Sequence, residues 1–181
     1  MAALRERTGV AARALEFAIL TAARTGEVIG ATWDEIDFGR RIWTVPAGRM
    51  KGHRDHRVPL SDHTVALLEE MQGTRSNEFV FSRHGGKSLS NMALLMMLRR
   101  MGRSDVTTHG FRSSFRTWAA ERTGFPREVV EAALAHVIGN KVEAAYQRGD
   151  LLDKRRELIA EWGEYCASPA STTRSVVSLK A

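Results

Sequence analysis

The spacing of apolar residues along the chain predicts a mainly helical protein. Leu15, Ala18, Ile19 and Ala22 recur at intervals of three and four, which predicts an amphipathic helix over residues 10–23. A short helix carrying Glu27 is predicted to follow the Thr25-Gly26 break. Similar patterns and capping residues predict further helices over residues 61–71, 90–101, 111–124, 126–136, 142–148 and 151–166, with Ser61 and Ser90 as N-caps.

One stretch, residues 35–60, has the character of strands instead. Ile36–Phe38 and Ile42–Val45 flank a Gly39-Arg40 turn, which predicts a hairpin. Arg57–Leu60 predicts a third strand at an edge, because a proline at position 59 cannot donate to a ladder. The predicted fold class is therefore mostly α with a small three-stranded antiparallel β-sheet (α+β). We predict an N-terminal extension or linker remnant over residues 1–8, one domain over 9–166 and a flexible tail over 167–181.

Composition adds a strong positive charge to this picture. The net charge is +6, the pI is about 10.1, and only five of the 27 basic residues are lysine. Basic domains attract polyanions, although solubility alone would explain the charge about as well. The single cysteine, Cys166, cannot form an internal disulfide, and the sequence contains no membrane span or signal peptide pattern, so we expect a bacterial cytoplasmic protein.

Two motifs place arginines where they could bind an anion. His109 and Arg112 are three residues apart near a predicted helix start, a spacing that can clamp one anion but also occurs on any solvated basic face. Arg24 stands at a helix junction, where Glu27 could hold its guanidinium by a bidentate pair. That pair could equally be a structural link between two helices.

A basic turn and two tyrosines complete the candidate chemistry. Lys51 lies in a Gly-containing turn between two strands, where a flexible ammonium could reach DNA. The nearby His53 and His56 favour a phosphate-contacting turn over a metal site, because no further ligands complete a cluster. Tyr165 falls on an apolar stripe and is predicted to be core, whereas Tyr146 lies between glycines and close to basic residues.

In order along the chain, these residues resemble the catalytic domain of the tyrosine recombinases, the phage integrase family. The shared order is Arg24, Lys51, His109-x-x-Arg112, His136 and Tyr146. The segments LTAARTGEVIGATWDEID, RMKGHRDHRVPLS, THGFRSSFRTWAAE and LAHVIGNKVEAAYQRGDLLDKRRELIAEW are most similar to prophage and genomic-island integrases. The resemblance covers residues 9–166, so we interpret that range as a catalytic domain.

The resemblance implies a reaction and a role for each residue. Tyr146 would attack a DNA phosphodiester to give a 3′-phosphotyrosine, while Arg24 and Arg112 bind the non-bridging oxygens and Lys51 protonates the leaving 5′-oxygen. His109 would assist removal of the tyrosine proton, His136 would hydrogen-bond a phosphate oxygen, and Glu27 would orient Arg24 or His109. We also predict phosphate contacts by Arg49, Arg54, Arg57, Arg116 and Arg148. No metal and no cofactor are expected.

The implied partner is double-stranded DNA carrying attachment sites, with a homotetramer assembling on it and a monomer in its absence. We expect no membrane and no small-molecule substrate. Family members usually carry a DNA-clamping helical domain upstream, so the chain is expected to be an excised domain, with a truncated gene product as the alternative. A non-catalytic DNA-binding fragment and a type IB topoisomerase remain alternative functions.

Overall fold

The computed structural model describes residues 1–83, 85–136 and 150–168, and in these ranges the protein is mostly helical. The helices are α1 (Ala2–Arg5), α2 (Val10–Leu20), α3 (Thr25–Ile29), α4 (Asp62–Gln72), α5 (Ala93–Arg100), α6 (Thr108–Arg122), α7 (Arg127–Ala133) and α8 (Leu152–Ala167). The strands are β1 (Ile36–Asp37), β2 (Ile42–Val45), β3 (His56–Pro59), β4 (Ser82–Arg83) and β5 (Lys87–Ser88). The predicted fold class is confirmed. The helix predicted over 142–148 lies outside the described residues.

Helix α2 forms the centre of the fold. Its alanine, leucine and phenylalanine side chains are buried around most of its circumference, and α1, α3, α4, α5, α6 and α8 all pack against it. A helix that is apolar on nearly every side needs such partners in every direction. Its one buried acid, Glu16, is neutralised by Arg5 at 2.7 Å and Arg13 at 3.0 Å. No helix in the described residues has the length and apolar character needed to cross a membrane.

The first residues of the chain pack onto this centre. Leu4 of α1 is buried, and Arg13 of α2 donates hydrogen bonds to the carbonyls of Arg5 and Arg7 at 3.1 and 3.2 Å. These contacts join residues 1–8, predicted as an extension or linker remnant, to the rest of the fold. The domain boundary at residue 9 stays a prediction.

The main sheet has the order β1-β2-β3 and is antiparallel throughout. Trp43 faces Val58 across β2 and β3, and both side chains are buried. Pro59 pairs with Ile42 on the edge strand β3, as predicted, although β3 begins one residue earlier than expected, at His56. A second sheet of β4 and β5 was not predicted, since two-residue strands leave no period to detect.

Helix ends agree with the predictions in part. The Ser61 hydroxyl caps α4 by accepting from the Thr64 amide, as predicted. Ser90 does not cap α5, because that helix begins only at Ala93 and Ser90 contributes its backbone carbonyl to the turn. Helix α7 ends three residues before His136.

Tyr165 is half exposed, at 51%, so its prediction as a core residue is wrong. One face of its ring stacks on Trp162, with centroids 5.5 Å apart, and it also contacts Trp118 at 5.6 Å. Those two tryptophans are the buried members of the cluster. Position on an apolar stripe therefore placed Tyr165 against the core without enclosing it.

Candidate active site

Arg112 is the most buried of the predicted site residues that the structure describes, with 4% of its surface exposed. It lies on the second turn of α6, a helix capped by the Thr107 side chain. Its Nη1 donates to the carbonyl of Ala22, and its Nη2 donates to the carbonyl of Leu134 at 2.7 Å. The guanidinium thus joins the end of α2 to the end of α7 through main-chain carbonyls.

Two alanines turn the main chain around this guanidinium. Ala22 and Ala135 have φ angles of 50° and 49°, in the left-handed region that costs an alanine about 1–2 kcal/mol. The turn at Ala22 follows α2, and its carbonyl accepts from Arg112. The turn at Ala135 follows α7, and the carbonyls of Leu134 and Ala135 lie 3.4 and 3.5 Å from Nη2 of Arg24. Both strained turns therefore supply acceptors to the arginines.

Arg24 and Glu27 form an ion pair, but through one guanidinium nitrogen and not in the predicted bidentate form. Nη1 of Arg24 lies 2.7 Å from Oε1 of Glu27, and the Arg24 amide donates to Oε2 at 2.8 Å. Glu27 is buried in α3, while Arg24 remains partly exposed at the helix start. One carboxylate oxygen therefore accepts from the backbone amide of Arg24, the N-cap of α3, and the other holds its guanidinium.

The two guanidinia make this site electrostatically unusual. Burial, followed by repulsion from Arg24, lowers the pKa of Arg112 to about 10, and attraction to Glu27 only partly offsets these effects. Arg112 makes no ion pair with a carboxylate in the described residues. A positive charge held this way would be stabilised by an anion bound beside it.

His136 is the fourth member of the cluster, and the carboxylate of Glu131 binds the ring nitrogen that faces away from Arg112. Its Nε2 lies 3.4 Å from Nη2 of Arg112, and its Nδ1 lies 2.6 Å from Oε2 of Glu131. Glu131 is buried on α7 and also accepts from Arg116 at 2.8 Å. The structure thus brings together Arg24, Glu27, Arg112 and His136, with Glu131 as an unpredicted member. Its only sequence signal was an acid five residues before the histidine, on a predicted helix.

Two other predicted residues lie on the surface. His109 is exposed on the first turn of α6, one turn before Arg112. Lys51 is exposed in the turn between β2 and β3. In the described residues, neither side chain makes a hydrogen bond or an ion pair with the cluster. Tyr146 and Arg148 lie outside the described residues.

The sequence analysis placed His56 incorrectly. It is half-buried on β3, not part of a solvated turn. Burial, then repulsion from Arg155, lowers its pKa to about 4, although Glu27 and a hydrogen bond with the backbone of Ala133 act in the opposite direction. A neutral imidazole therefore lies near the predicted site at neutral pH. No group of three or more candidate metal ligands occurs in the described residues.

The arginines predicted to contact phosphate occupy different surroundings. Arg54 is exposed in the β2–β3 turn. Arg49 binds Glu35 and the carbonyl of Glu27, the latter at 3.0 Å. Arg57 pairs with Asp150 at 2.7 Å, and Arg116 pairs with Glu131. Their predicted phosphate contacts stay predictions.

Asp150 links β3 to α8 through a buried arginine. Arg155 is 1% exposed, and it donates to the backbone carbonyl of Arg57 at 2.6 Å and to that of Asp150 at 2.7 Å. Its Nη2 lies 2.9 Å from the Asp150 carboxylate. These bonds join the start of α8 to strand β3.

Comparison with known proteins assigns the family. The model described as the phage integrase family matches residues 1–150. Over 150 residues the chain is 42% identical to prophage integrase IntA of Escherichia coli (strain K12), covering 81% of this chain and 36% of that protein. The chain thus spans little more than a third of this relative.

Solved structures share the fold. The integrase from mycobacterium phage Brujita superposes with a TM-score of 0.68 at 19% identity, covering 89% of this chain and 55% of that one. A lambda integrase tetramer bound to a Holliday junction gives 0.58 at 18% identity, covering 82% and 45%. Because the family model matches residues 1–150 of the 181, this chain belongs to the phage integrase family.

Proposed function

We propose that this chain is the DNA-cleaving domain of a site-specific tyrosine recombinase that integrates or excises a mobile element. The observation that carries the proposal is the buried Arg112 beside Arg24, two guanidinia fixed by main-chain carbonyls with no carboxylate paired to Arg112 in the described residues. A scissile phosphate is an anion that such a site would stabilise, most strongly when charge builds on its oxygens.

In the proposed reaction the Tyr146 oxygen attacks phosphorus, and the bond between phosphorus and the 5′-oxygen breaks. The products are a 3′-phosphotyrosine and a free 5′-hydroxyl. His109 receives the tyrosine proton, and Lys51 gives a proton to the departing oxygen. Attack of a 5′-hydroxyl on the phosphotyrosine reverses these steps and rejoins DNA, so the phosphodiester energy is retained.

Arg24 and Arg112 stabilise the pentacovalent phosphorus in this scheme, each by about 3 kcal/mol. Glu27 orients Arg24, and His136 contacts a phosphate oxygen from the side opposite Glu131. Because the guanidinia provide the positive charge at the phosphate, the mechanism that we propose uses neither a metal nor a cofactor.

The proposed partner is double-stranded DNA at attachment sites, and the proposed assembly on it is a homotetramer. The net charge of +6 supports DNA binding. The lambda integrase with the same fold is a tetramer on a Holliday junction, which supports the assembly. Since the chain spans 36% of IntA, other parts of such proteins would contribute to DNA binding.

Covalent trapping tests the proposal. The chain and its Tyr146→Phe variant are incubated with nicked suicide duplexes, drawn from a randomised pool, with EDTA present, and analysed on denaturing gels. We expect an adduct that the variant does not form. An adduct that persists in the variant would show that Tyr146 is not the nucleophile. No adduct with either protein, even after fusion to an integrase DNA-clamp domain, would overturn the proposed activity, and relaxation of supercoiled DNA by single-strand swivelling would indicate a topoisomerase.

A further inference from the structure

Glu131 is a buried acid that neither the motif order nor the proposed mechanism uses. Its side chain, on the last turn of α7, is 11% exposed. One carboxylate oxygen lies 2.6 Å from Nδ1 of His136. The other accepts from Nε of Arg116 at 2.8 Å and lies 2.7 Å from its Nη2. Both oxygens are therefore occupied, and one of them contacts a residue of the candidate site.

The partners of the two ring nitrogens of His136 determine which nitrogen of the neutral imidazole carries the proton. Burial tends to raise the pKa of Glu131, but hydrogen bonds from His136 and Arg116 outweigh it and hold the pKa below its ordinary value. An ionised carboxylate only accepts hydrogen bonds, so Nδ1 carries a proton. Nη2 of Arg112, 3.4 Å from Nε2, only donates. The neutral ring therefore carries its proton on Nδ1 and presents a lone pair from Nε2 beside Arg112.

We propose that Glu131 is a positioning residue that fixes the orientation and the tautomer of His136, an inference that rests on the proposed function. After Ala133 the chain has left the helix, so the backbone alone does not define the direction of the imidazole. The bond to Glu131 supplies that direction. It leaves Nε2 beside Arg112, where the phosphate would bind, and the carboxylate stabilises an imidazolium ring that donates from Nε2 to a phosphate oxygen.

Arg116 has a supporting part in this arrangement. It projects from α6 to α7 and holds the Glu131 oxygen that does not face His136. Arg127, on α7 itself, lies farther away, 3.8 Å from the same oxygen. Arg116 therefore anchors the carboxylate that anchors the histidine.

A tautomer measurement tests this without DNA. The chain is labelled with ¹⁵N-histidine, and long-range ¹H–¹⁵N correlation spectra are recorded at mildly alkaline pH, with His136 assigned by its loss in His136→Gln. We expect Nδ1–H in the wild type, and a change towards the Nε2–H form in Glu131→Ala. Glu128→Ala, an exposed acid on the same helix, is the matched control and should leave the signals unchanged. An unchanged His136 tautomer in Glu131→Ala would overturn the proposal.

A kinetic measurement tests its consequence for cleavage. Loss of an orienting partner typically costs about tenfold to a hundredfold, so Glu131→Ala should slow adduct formation by that factor without a matching loss of DNA affinity. Glu131→Asp keeps two acceptor oxygens and should recover part of the rate, while Glu128→Ala should match the wild type. If Glu131→Ala does not fold, the isosteric Glu131→Gln replaces it, since one amide oxygen cannot serve both Arg116 and His136.

The two measurements separate this inference from the proposed function. A wild-type chain that forms no adduct would contradict the proposed function, while the spectra would still report whether Glu131 controls the tautomer. Adduct formation at the wild-type rate in a folded Glu131→Ala variant would overturn the positioning role and leave the proposed function intact.

Discussion

Arg112 keeps a positive charge inside the protein with carbonyl dipoles instead of a counter-ion. Its bonds to Ala22 and Leu134 compensate part of the desolvation, but the lowered pKa of about 10 shows that compensation is incomplete. The remainder can be recovered only when an anion binds. At the scale of one residue, the guanidinium thus keeps a desolvation cost that a bound anion would offset.

Substitution of Arg112 should therefore affect cleavage strongly. We expect Arg112→Ala to lower the single-turnover rate of adduct formation by roughly a hundredfold or more, in line with about 3 kcal/mol for a transition-state donor. Arg112→Lys should recover little, because one ammonium cannot reach both carbonyls in the geometry of a planar fork. Arg122→Ala, at the exposed end of the same helix, is the control. A rate in Arg112→Ala equal to that control would contradict the assigned role.

His56 should make the fold sensitive to acid. Its pKa falls from 6.5 to about 4 on folding, chiefly through burial. Between these values the unfolded chain binds a proton that the folded chain does not, so stability is lost as the pH falls through this window. The full difference corresponds to about 3 kcal/mol.

Urea denaturation across this pH range measures the effect. His56→Gln removes the titrating group, so its free energy of unfolding should decline less between pH 6.5 and about 4 than that of the wild type. The comparison isolates His56, because all carboxylates titrate in both proteins. Parallel curves for the two proteins would show that His56 does not lose its proton on folding.

At the scale of elements, α4 and α8 approach so closely that one glycine is required between them. A Cβ on Gly163 would lie 2.9 Å from Oγ and 3.0 Å from Cβ of Ser61, the residue that caps α4. We expect Gly163→Ala to destabilise the fold by about 1–3 kcal/mol, as overpacking does. Gly26 in α3 has open space around its Cβ position, so Gly26→Ala should instead stabilise by about 0.5–1 kcal/mol.

The opposite signs make this pair of glycine variants informative, and thermal and urea unfolding would measure both. Adding Ser61→Gly to Gly163→Ala should relieve most of the overlap, because glycine at an N-cap costs only a few tenths of a kcal/mol relative to serine. A stabilising Gly163→Ala would show that α8 can shift away from α4 at little cost.

Periodicity predicted the long elements well because their own side chains determine them. Helices α2, α6 and α8, the hairpin of β1 and β2 and the Ser61 cap lie where the local pattern placed them, although α2 is buried around most of its circumference and not along one stripe only. The end of α7 was predicted too late, because no glycine or proline marks it. Ala135, in the left-handed region, follows this helix end, and the carbonyls of Leu134 and Ala135 accept from Arg24. Arg24 is far away in sequence, so a local pattern cannot predict these bonds.

The candidate site could be predicted only for the residues that the motif order shared with the family identifies. The structure brings Arg24, Glu27, Arg112 and His136 together, and their catalytic roles stay predictions. Glu131 was missed, because its importance comes from a contact made after the helix ends. The motif order therefore named four side chains that meet, but it did not indicate that Lys51 and His109 are exposed, and the acids and carbonyls that orient the cluster required the folded structure.

At the scale of the whole molecule, the arginines are of two kinds, those with guanidinia bonded inside the protein and those exposed on its surface. Arg155 and Arg112 are buried, and Arg49 is engaged by Glu35 and a backbone carbonyl. Arg54, by contrast, is exposed on the hairpin turn. The buried and internally bonded arginines are thus not free to meet a phosphate, and the salt dependence of DNA binding should reflect only the exposed ones.

Arg54 and Arg49 form a matched pair for this test, since either substitution by alanine removes one positive charge near the same hairpin. Each phosphate contact contributes about 0.9 to the slope of log affinity against log salt, so Arg54→Ala should lower the slope by about that amount. Arg49→Ala should leave the slope unchanged and instead lower the free energy of unfolding, because it leaves the half-buried Glu35 carboxylate without its ion pair. Fluorescence anisotropy on one duplex, titrated over a range of salt concentrations, gives the slopes. If both variants lower the slope of log affinity against log salt equally, Arg49 must leave Glu35 to bind DNA. Its bonds to Glu35 and to the Glu27 carbonyl would then exist only in the free protein.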